Sequence, residues 1–151
     1  MDTVTVVCFG NLCRSPMAQA VLARALPRIG VESAGLAAPS RGAPDPIAVR
    51  LMRERGYDIS GHRAQQLQGA MVASSDLVLV MTDRQRRVIE QVWPASRGKV
   101  FRIAGDTDIP DPHQRGERAF RRVLQLIDAG AAQWTDRLSR PPGDRLSRGA
   151  A

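Results

Sequence analysis

Apolar and β-branched residues fill Thr3 to Phe9, "TVTVVCF", a short continuous run that predicts a buried strand. The next stretch, about Ser15 to Leu26, reads as a helix, with Ser15 as its N-cap, Pro16 at its first position and Pro27 in its end region. "VESAG" (Val31 to Gly35) predicts a second strand, and the Pro- and Gly-rich "LAAPSRGAPDP" a loop. Ile47 to Arg55 looks helical, with Gly56 as its stop. "DISGHRAQQL" predicts a turn and then a helix start capped by Ser60. "DLVLVM" (Asp76 to Met81) is the clearest third strand, followed by a helix through about Ile89 that breaks before Pro94. "KVFRI" (Lys99 to Ile103) is a fourth strand, and "AGDTDIPDPHQRG" a long polar loop. Glu117 to about Leu138 repeats with helical period, placing Phe120, Val123, Leu124, Ile127 and Ala131 on one stripe. The alternation predicts an α/β three-layer sandwich, a central four-stranded parallel sheet with helices on both faces. One domain over 1–140 and a disordered tail over 141–151 are expected.

Composition narrows the class. The chain has 151 residues, enough for one domain with a real core, and its 43 % apolar content is ordinary for a soluble protein. No apolar run has the length of a membrane span, and the N-terminus lacks the basic and apolar regions of a signal peptide. A cytoplasmic location with reduced thiols is therefore expected. The net charge is +7, with Lys99 as the one lysine. The arginines are scattered and accompany no recognition-helix or aromatic-platform pattern, so no nucleic-acid partner is expected. Their field suits acidic or phosphorylated partners. Two cysteines make neither a disulfide framework nor, without further ligands, a zinc site.

Both cysteines sit in "CFGNLCRS", between the first strand and the first helix. In parallel α/β sheets ligands bind beyond the carboxyl ends of the strands, where Cys8 falls. Five residues separate Cys8 from Arg14, enough for the loop to curl so that its N–H groups converge. Gly10 and Asn11 tolerate the positive φ that such a curl needs. The loop leads into a helix N-terminus, which favours an anion, and Arg14 adds a planar fork for two phosphate oxygens. The same surroundings favour thiolate over thiol. The pattern therefore predicts a phosphate cradle with the Cys8 sulfur aimed into it. The nucleotide P-loop and the dinucleotide fingerprint are both absent.

"VCFGNLCRSP" resembles the signature loop of the low-molecular-weight protein tyrosine phosphatases, and "VESAG", "PDPIA", "DISGHRAQQL", "DLVLVM" and "IPDPH" fall in that family's order and spacing. The pattern is most similar to bacterial members that accompany exopolysaccharide tyrosine kinases. The resemblance implies hydrolysis of phosphotyrosine and small aryl phosphates through a phosphocysteine, with no metal or cofactor. Phosphotyrosine-containing proteins, among them a tyrosine autokinase, are the implied partners; the oligomeric state is left open. It makes Cys8 the nucleophile, Arg14 the stabiliser of the transferring phosphoryl group, and Asp111 the general acid. Phe9, Gly10, Asn11, Leu12, Cys13, Arg14 and Ser15 become the phosphate-binding loop. Ser33 and His62 become its supports, with Ser15 also able to donate toward the sulfur. Cys13 becomes a partner that can trap an oxidised nucleophile as a disulfide. Asp108 is the local rival for the acid role, but it precedes Ile-Pro and lacks the Asp-Pro context.

The departures lie in the pocket walls. The acid loop continues Asp111-Pro112-His113, where many relatives have tyrosine, and the facing wall falls near Pro39 rather than on an aromatic residue. Phe9 offers a replacement surface, and weaker discrimination among aryl phosphates is expected. Thr82 stands where many relatives have an acidic residue. Related arsenate reductases need cysteines outside the loop, and this chain has only Cys8 and Cys13. Related arginine phosphatases carry Thr at the position of Leu12, and leucine suits an aromatic ring better.

Overall fold

In the computed structural model, which describes residues 1–140, four strands make one parallel sheet. They are β1 (Thr3–Cys8), β2 (Gly30–Gly35), β3 (Leu77–Val80) and β4 (Val100–Arg102), in the order β2-β1-β3-β4. The expectation for 141–151 lies outside the described residues. Among the described residues, five α-helices connect and follow the strands, α1 (Arg14–Ala25), α2 (Pro46–Glu54), α3 (Gly69–Ser74), α4 (Asp83–Val92) and α5 (Glu117–Ser139), with a short 3₁₀ turn at Pro94–Ser96.

The two central strands, β1 and β3, are largely apolar on both faces because both of their faces are covered. Val4, Val6 and Cys8 of β1 point with Leu77 and Leu79 into one core layer, against Met17 and Leu22 of α1, Leu51 of α2, and Phe120 and Ile127 of α5. Val7, Val78, Val80 and Val100 point the other way, onto Leu67, Val72 of α3 and Ile89 of α4. The expected three-layer arrangement is thus present. All five residues of the α5 stripe are buried, joined by Gly130 and Trp134. Gly130 is there for clearance: a Cβ would lie 2.5 Å from the Ile103 carbonyl oxygen, which also accepts a 3.1 Å bond from Trp134 Nε1.

Two expectations are corrected. No helix starts at Ser60. Asp58 Oδ1 instead accepts from the Ser60 N–H (2.9 Å) and Oγ (2.6 Å), closing an Asx turn. The chain then runs without helix to α3, apart from a bridge between Gly35 and Gln66. Nor does Ser15 cap α1: the helix begins at Arg14, Cys13 is the cap residue without a side-chain bond, and Pro16 occupies the third helical position. Proline is tolerated in that first turn because its missing N–H has no intrahelical acceptor there.

The order β2-β1-β3 positions the site. The chain leaves β1 toward β2 and later returns to the opposite side of β1, making a switch point at its carboxyl end. The two flanking connections diverge there and leave a crevice directly beyond Cys8.

Candidate active site

The segment from Cys8 to Arg14 curls over the end of β1. Asn11 makes the curl with φ of 56°, and its N–H donates to Cys8 Sγ at 3.2 Å. The Asn11 amide then fixes the sulfur's other neighbour. Its Oδ1 accepts from the Gln65 N–H at 3.0 Å, so its Nδ2 faces two hydroxyls, Ser15 Oγ at 2.8 Å and Ser33 Oγ at 3.0 Å. Ser33 Oγ in turn donates a hydrogen bond to Gln19 Oε1 at 2.6 Å. Because Ser15 Oγ accepts from Asn11, its hydroxyl hydrogen can point at Cys8 Sγ, 2.9 Å away. The chain of bonds therefore delivers two donors to the sulfur. Using Ser15 in this way removes it from the capping role.

His62 supports the same turn. Its Nε2 lies 2.8 Å from the Asn11 carbonyl oxygen, an acceptor, so Nε2 carries the proton. Burial holds the His62 pKa below its ordinary value, partly offset by the bond to Asn11 and reinforced by Arg63. Gly35, at the end of β2, presses on the loop from behind. A Cβ there would lie 2.8 Å from the Phe9 carbonyl oxygen and 3.0 Å from the Asn11 nitrogen.

The outer side of the curl differs in kind. Among the described residues, the backbone N–H groups of Gly10, Leu12 and Cys13 donate to no protein acceptor, and those of Arg14 and Ser15 open α1 without intrahelical partners. Gly10, Leu12, Cys13 and Arg14 of this set border a cavity of about 190 Å³. Cys8, Gly10, Cys13 and Arg14 line it on the loop side; Phe9, Leu12, Ala37 and Pro39 supply apolar wall; Asp111 and His113 approach from the loop after β4. Asn11 and Ser15 stand behind the sulfur rather than in this lining.

Arg14 joins the two loops. Its guanidinium is buried, its Nη1 donates to the Ile109 carbonyl oxygen at 2.9 Å, and its Nη2 lies 3.7 Å from Asp111 Oδ2. The Asp111 side chain is half exposed, and its Oδ1 accepts from the His113 N–H at 3.1 Å. Asp108 is occupied elsewhere. Arg102 and the Asp83 N–H hold its carboxyl below the usual carboxylate range, and it does not line the cavity. Thr82, the unexpected residue after β3, caps α4: its Oγ1 accepts from the Gln85 N–H, and Gln85 Oε1 accepts from the Thr82 N–H.

Cys13 is a different sulfur from Cys8. Burial first, then the Asp45 carboxylate, push its thiol up to about 12. It is therefore a neutral thiol at physiological pH and a slow attacker in disulfide exchange. Asp45 caps α2, its Oδ1 accepting from the Ile47 N–H at 2.9 Å.

Of the residues expected at the site, Cys8, Phe9, Gly10, Leu12, Cys13, Arg14, Pro39, Asp111 and His113 line the cavity, whereas Asn11, Ser15, Ser33 and His62 lie behind the loop. Gln19, Gln65, Gly35, Asp45 and the Ile109 carbonyl were not foreseen. Gly35, Asp45, Gln65 and Ile109 lie in the segments that carry the resemblance and Gln19 in the helix after the loop, but what each touches depends on the fold and not on its neighbours in sequence.

A sulfur under a collar of amides, beside a buried guanidinium and a carboxylate, defines a site for a tetrahedral oxyanion. The family model described as low molecular weight phosphotyrosine protein phosphatase matches residues 3–142. The chain belongs to that family, whose members are phosphoric monoester hydrolases. It is 46 % identical over 140 residues to the probable low molecular weight protein-tyrosine-phosphatase EpsP of Ralstonia nicotianae, covering 91 % of this chain and 97 % of that one. It is 35 % identical to the low molecular weight protein-tyrosine-phosphatase Wzb of Escherichia coli, covering 91 % and 96 %. The structure of Vibrio vulnificus Wzb in complex with benzylphosphonate superposes with a TM-score of 0.86 at 35 % identity, covering 89 % of this chain and 97 % of that one. Among the described residues, no helix is long and apolar enough to cross a membrane.

Proposed function

We propose that the chain hydrolyses phosphotyrosine through a phosphocysteine at Cys8. The observation that carries this reading is the cavity itself: Cys8 Sγ at its floor, Arg14 buried in its wall and Asp111 at its rim. The phosphoryl group enters with its oxygens toward the collar of N–H groups and the Arg14 fork, which together spread the equatorial charge. Cys8 attacks in line from below; the S–P bond forms as the P–O bond to the phenol breaks. Asp111 gives its proton to the departing phenolate, which leaves as tyrosine. Asp111, now a carboxylate, takes a proton from water as that water attacks phosphorus. Cys8 departs as thiolate with inorganic phosphate, aided by the donors from Asn11 and Ser15.

The apolar wall of Phe9, Leu12, Ala37 and Pro39 suits an aromatic leaving group, and the likeness to EpsP and Wzb supports a phosphotyrosine protein as substrate. A bacterial tyrosine kinase is the partner whose product the enzyme would reverse, in the cytoplasm. The test is turnover of p-nitrophenyl phosphate in EDTA. Wild type turns over under these conditions, and Cys8→Ser loses at least ~10³-fold, the order seen when a covalent nucleophile is removed. Activity retained in Cys8→Ser overturns the proposal.

A further inference from the structure

Cys13, Asp45 and His113 belong to three separate segments: the cap of α1, the cap of α2 and the loop carrying Asp111. The fold brings one Sγ, one carboxylate oxygen and one imidazole nitrogen within 4.8 Å of one another. Two of the three are firmly placed. Cys13 is buried, and the Asp45 N–H donates to the Leu12 carbonyl oxygen at 2.9 Å, tying the cap of α2 to the residue before Cys13. Asp45 Oδ1 is used by the Ile47 N–H, which leaves Oδ2 directed at His113 Nδ1, 3.9 Å away. His113 is the exposed member, with its side chain 53 % exposed and therefore free of packing that would hold its rotamer.

We propose that Cys13, Asp45 and His113 bind one zinc ion, with a water from the cavity as fourth ligand, and that the ion fastens the acid loop to the phosphate loop. One thiolate, one imidazole and one carboxylate form a set that suits zinc and disfavours magnesium or calcium. Zinc–ligand bonds of about 2.0–2.3 Å put tetrahedral ligand atoms roughly 3.2–3.8 Å apart. The site therefore closes by about 1 Å from the 4.8 Å limit, a movement available to His113. On binding, the Cys13 thiol proton leaves to the buffer as the S–Zn bond forms, and the thiolate and carboxylate together balance the ion's two charges. Cys13 and His113 both line the catalytic cavity, so its water supplies the fourth position.

The effect on turnover rests on the role proposed for Asp111, two residues before His113; the binding does not. Zinc pins His113 and thereby prevents Asp111 from following the leaving group and then the water. The ion is an inhibitor at a site separate from the nucleophile.

Cobalt(II) titration of the metal-stripped full chain tests the binding without reference to catalysis. One equivalent of Co²⁺ is expected to give a thiolate-to-cobalt band in the near ultraviolet and intense four-coordinate bands in the visible, both erased by one equivalent of Zn²⁺. The thiolate band disappears in Cys13→Ser and persists in Cys8→Ser. Affinity falls at least tenfold in Asp45→Asn, which keeps the oxygen that caps α2, and in the exposed-site variant His113→Ala. One equivalent of Zn²⁺ lowers wild-type turnover at least tenfold, reversibly with EDTA, and lowers that of His113→Ala less than twofold. The proposal is overturned by no thiolate band in wild type, by a band that survives Cys13→Ser, by its loss in Cys8→Ser, or by unchanged affinity in His113→Ala. Failure of the phosphatase reading leaves the spectra unaffected, so the two outcomes separate.

Discussion

Replacing Gly35 by alanine perturbs the phosphate loop without touching any side chain in the cavity. The added Cβ would stand 2.8 Å from the Phe9 carbonyl oxygen, 3.0 Å from the Asn11 nitrogen and 3.0 Å from Ala38 Cβ. Two of these are backbone atoms of the loop, so no rotamer change relieves them. Ordinary contact begins near 3.4 Å, so the loop must withdraw by about 0.6 Å from β2. β2 cannot retreat instead, because it is paired with β1 along its whole length. Overpacking of this kind costs about 1–3 kcal/mol of stability. The functional effect is larger in proportion: Asn11 sets the sulfur, and a misplacement of about 1 Å in a reacting geometry costs up to ~10²-fold. Gly35→Ala is therefore expected to lose about 10-fold or more in kcat/KM for p-nitrophenyl phosphate, measured where urea titration shows the protein fully folded. Inorganic phosphate should protect it from urea less than it protects wild type. A variant that loses stability but keeps full kcat/KM and full protection by phosphate would refute the claim that Gly35 positions the loop.

Two further outcomes follow from the geometry. Asp111→Ala should slow hydrolysis of an aryl phosphate with a poor leaving group, such as phenyl phosphate, far more than one with a good leaving group; equal slowing would remove Asp111 from the acid role. His62 gives a pH dependence with a defined sign. Its folded-state pKa lies below the ordinary 6.5, so the folded protein resists a proton that the unfolded chain accepts. That contribution to stability is complete above about pH 6.5 and is lost as pH falls from there through the lower folded-state value. The urea midpoint should drop between pH 7.5 and 5.5 by more in wild type than in His62→Gln.

The elements were legible where local pattern and tertiary burial agree. "VVC" and "LVLV" are continuous apolar runs because both sheet faces are covered, and the α5 stripe is visible because the helix has one dry side. The phosphate loop was legible because its chemistry is compressed into eight consecutive residues. What failed was local rule against longer-range need. Ser15 has the sequence features of a cap, yet its hydroxyl is claimed by Cys8 and Asn11. Ser60 likewise resembles a cap, but Asp58 takes its N–H into a turn, and α3 is too short to show a helical period. Asp111 was separable from its rival Asp108 by its Asp-Pro context, and the folded pairing of Asp108 with Arg102 and the Asp83 N–H adds a physical reason that the sequence does not carry. The supports from Gln19 and Gln65, and the meeting of Cys13 with Asp45 and His113, depend on the order in which the strands lie, which composition and periodicity do not encode.

The central claim is that phosphorus passes through the Cys8 sulfur. Mixing Asp111→Ala with p-nitrophenyl phosphate, quenching in denaturant within the first turnover and mapping the peptides by mass spectrometry tests it directly. The account predicts one phosphoryl group on the peptide containing Cys8, lost when Cys8 is also serine-substituted or when the quench follows substrate exhaustion. A phosphoryl group on another residue, or phosphate released in a first turnover that never labels Cys8, would contradict it.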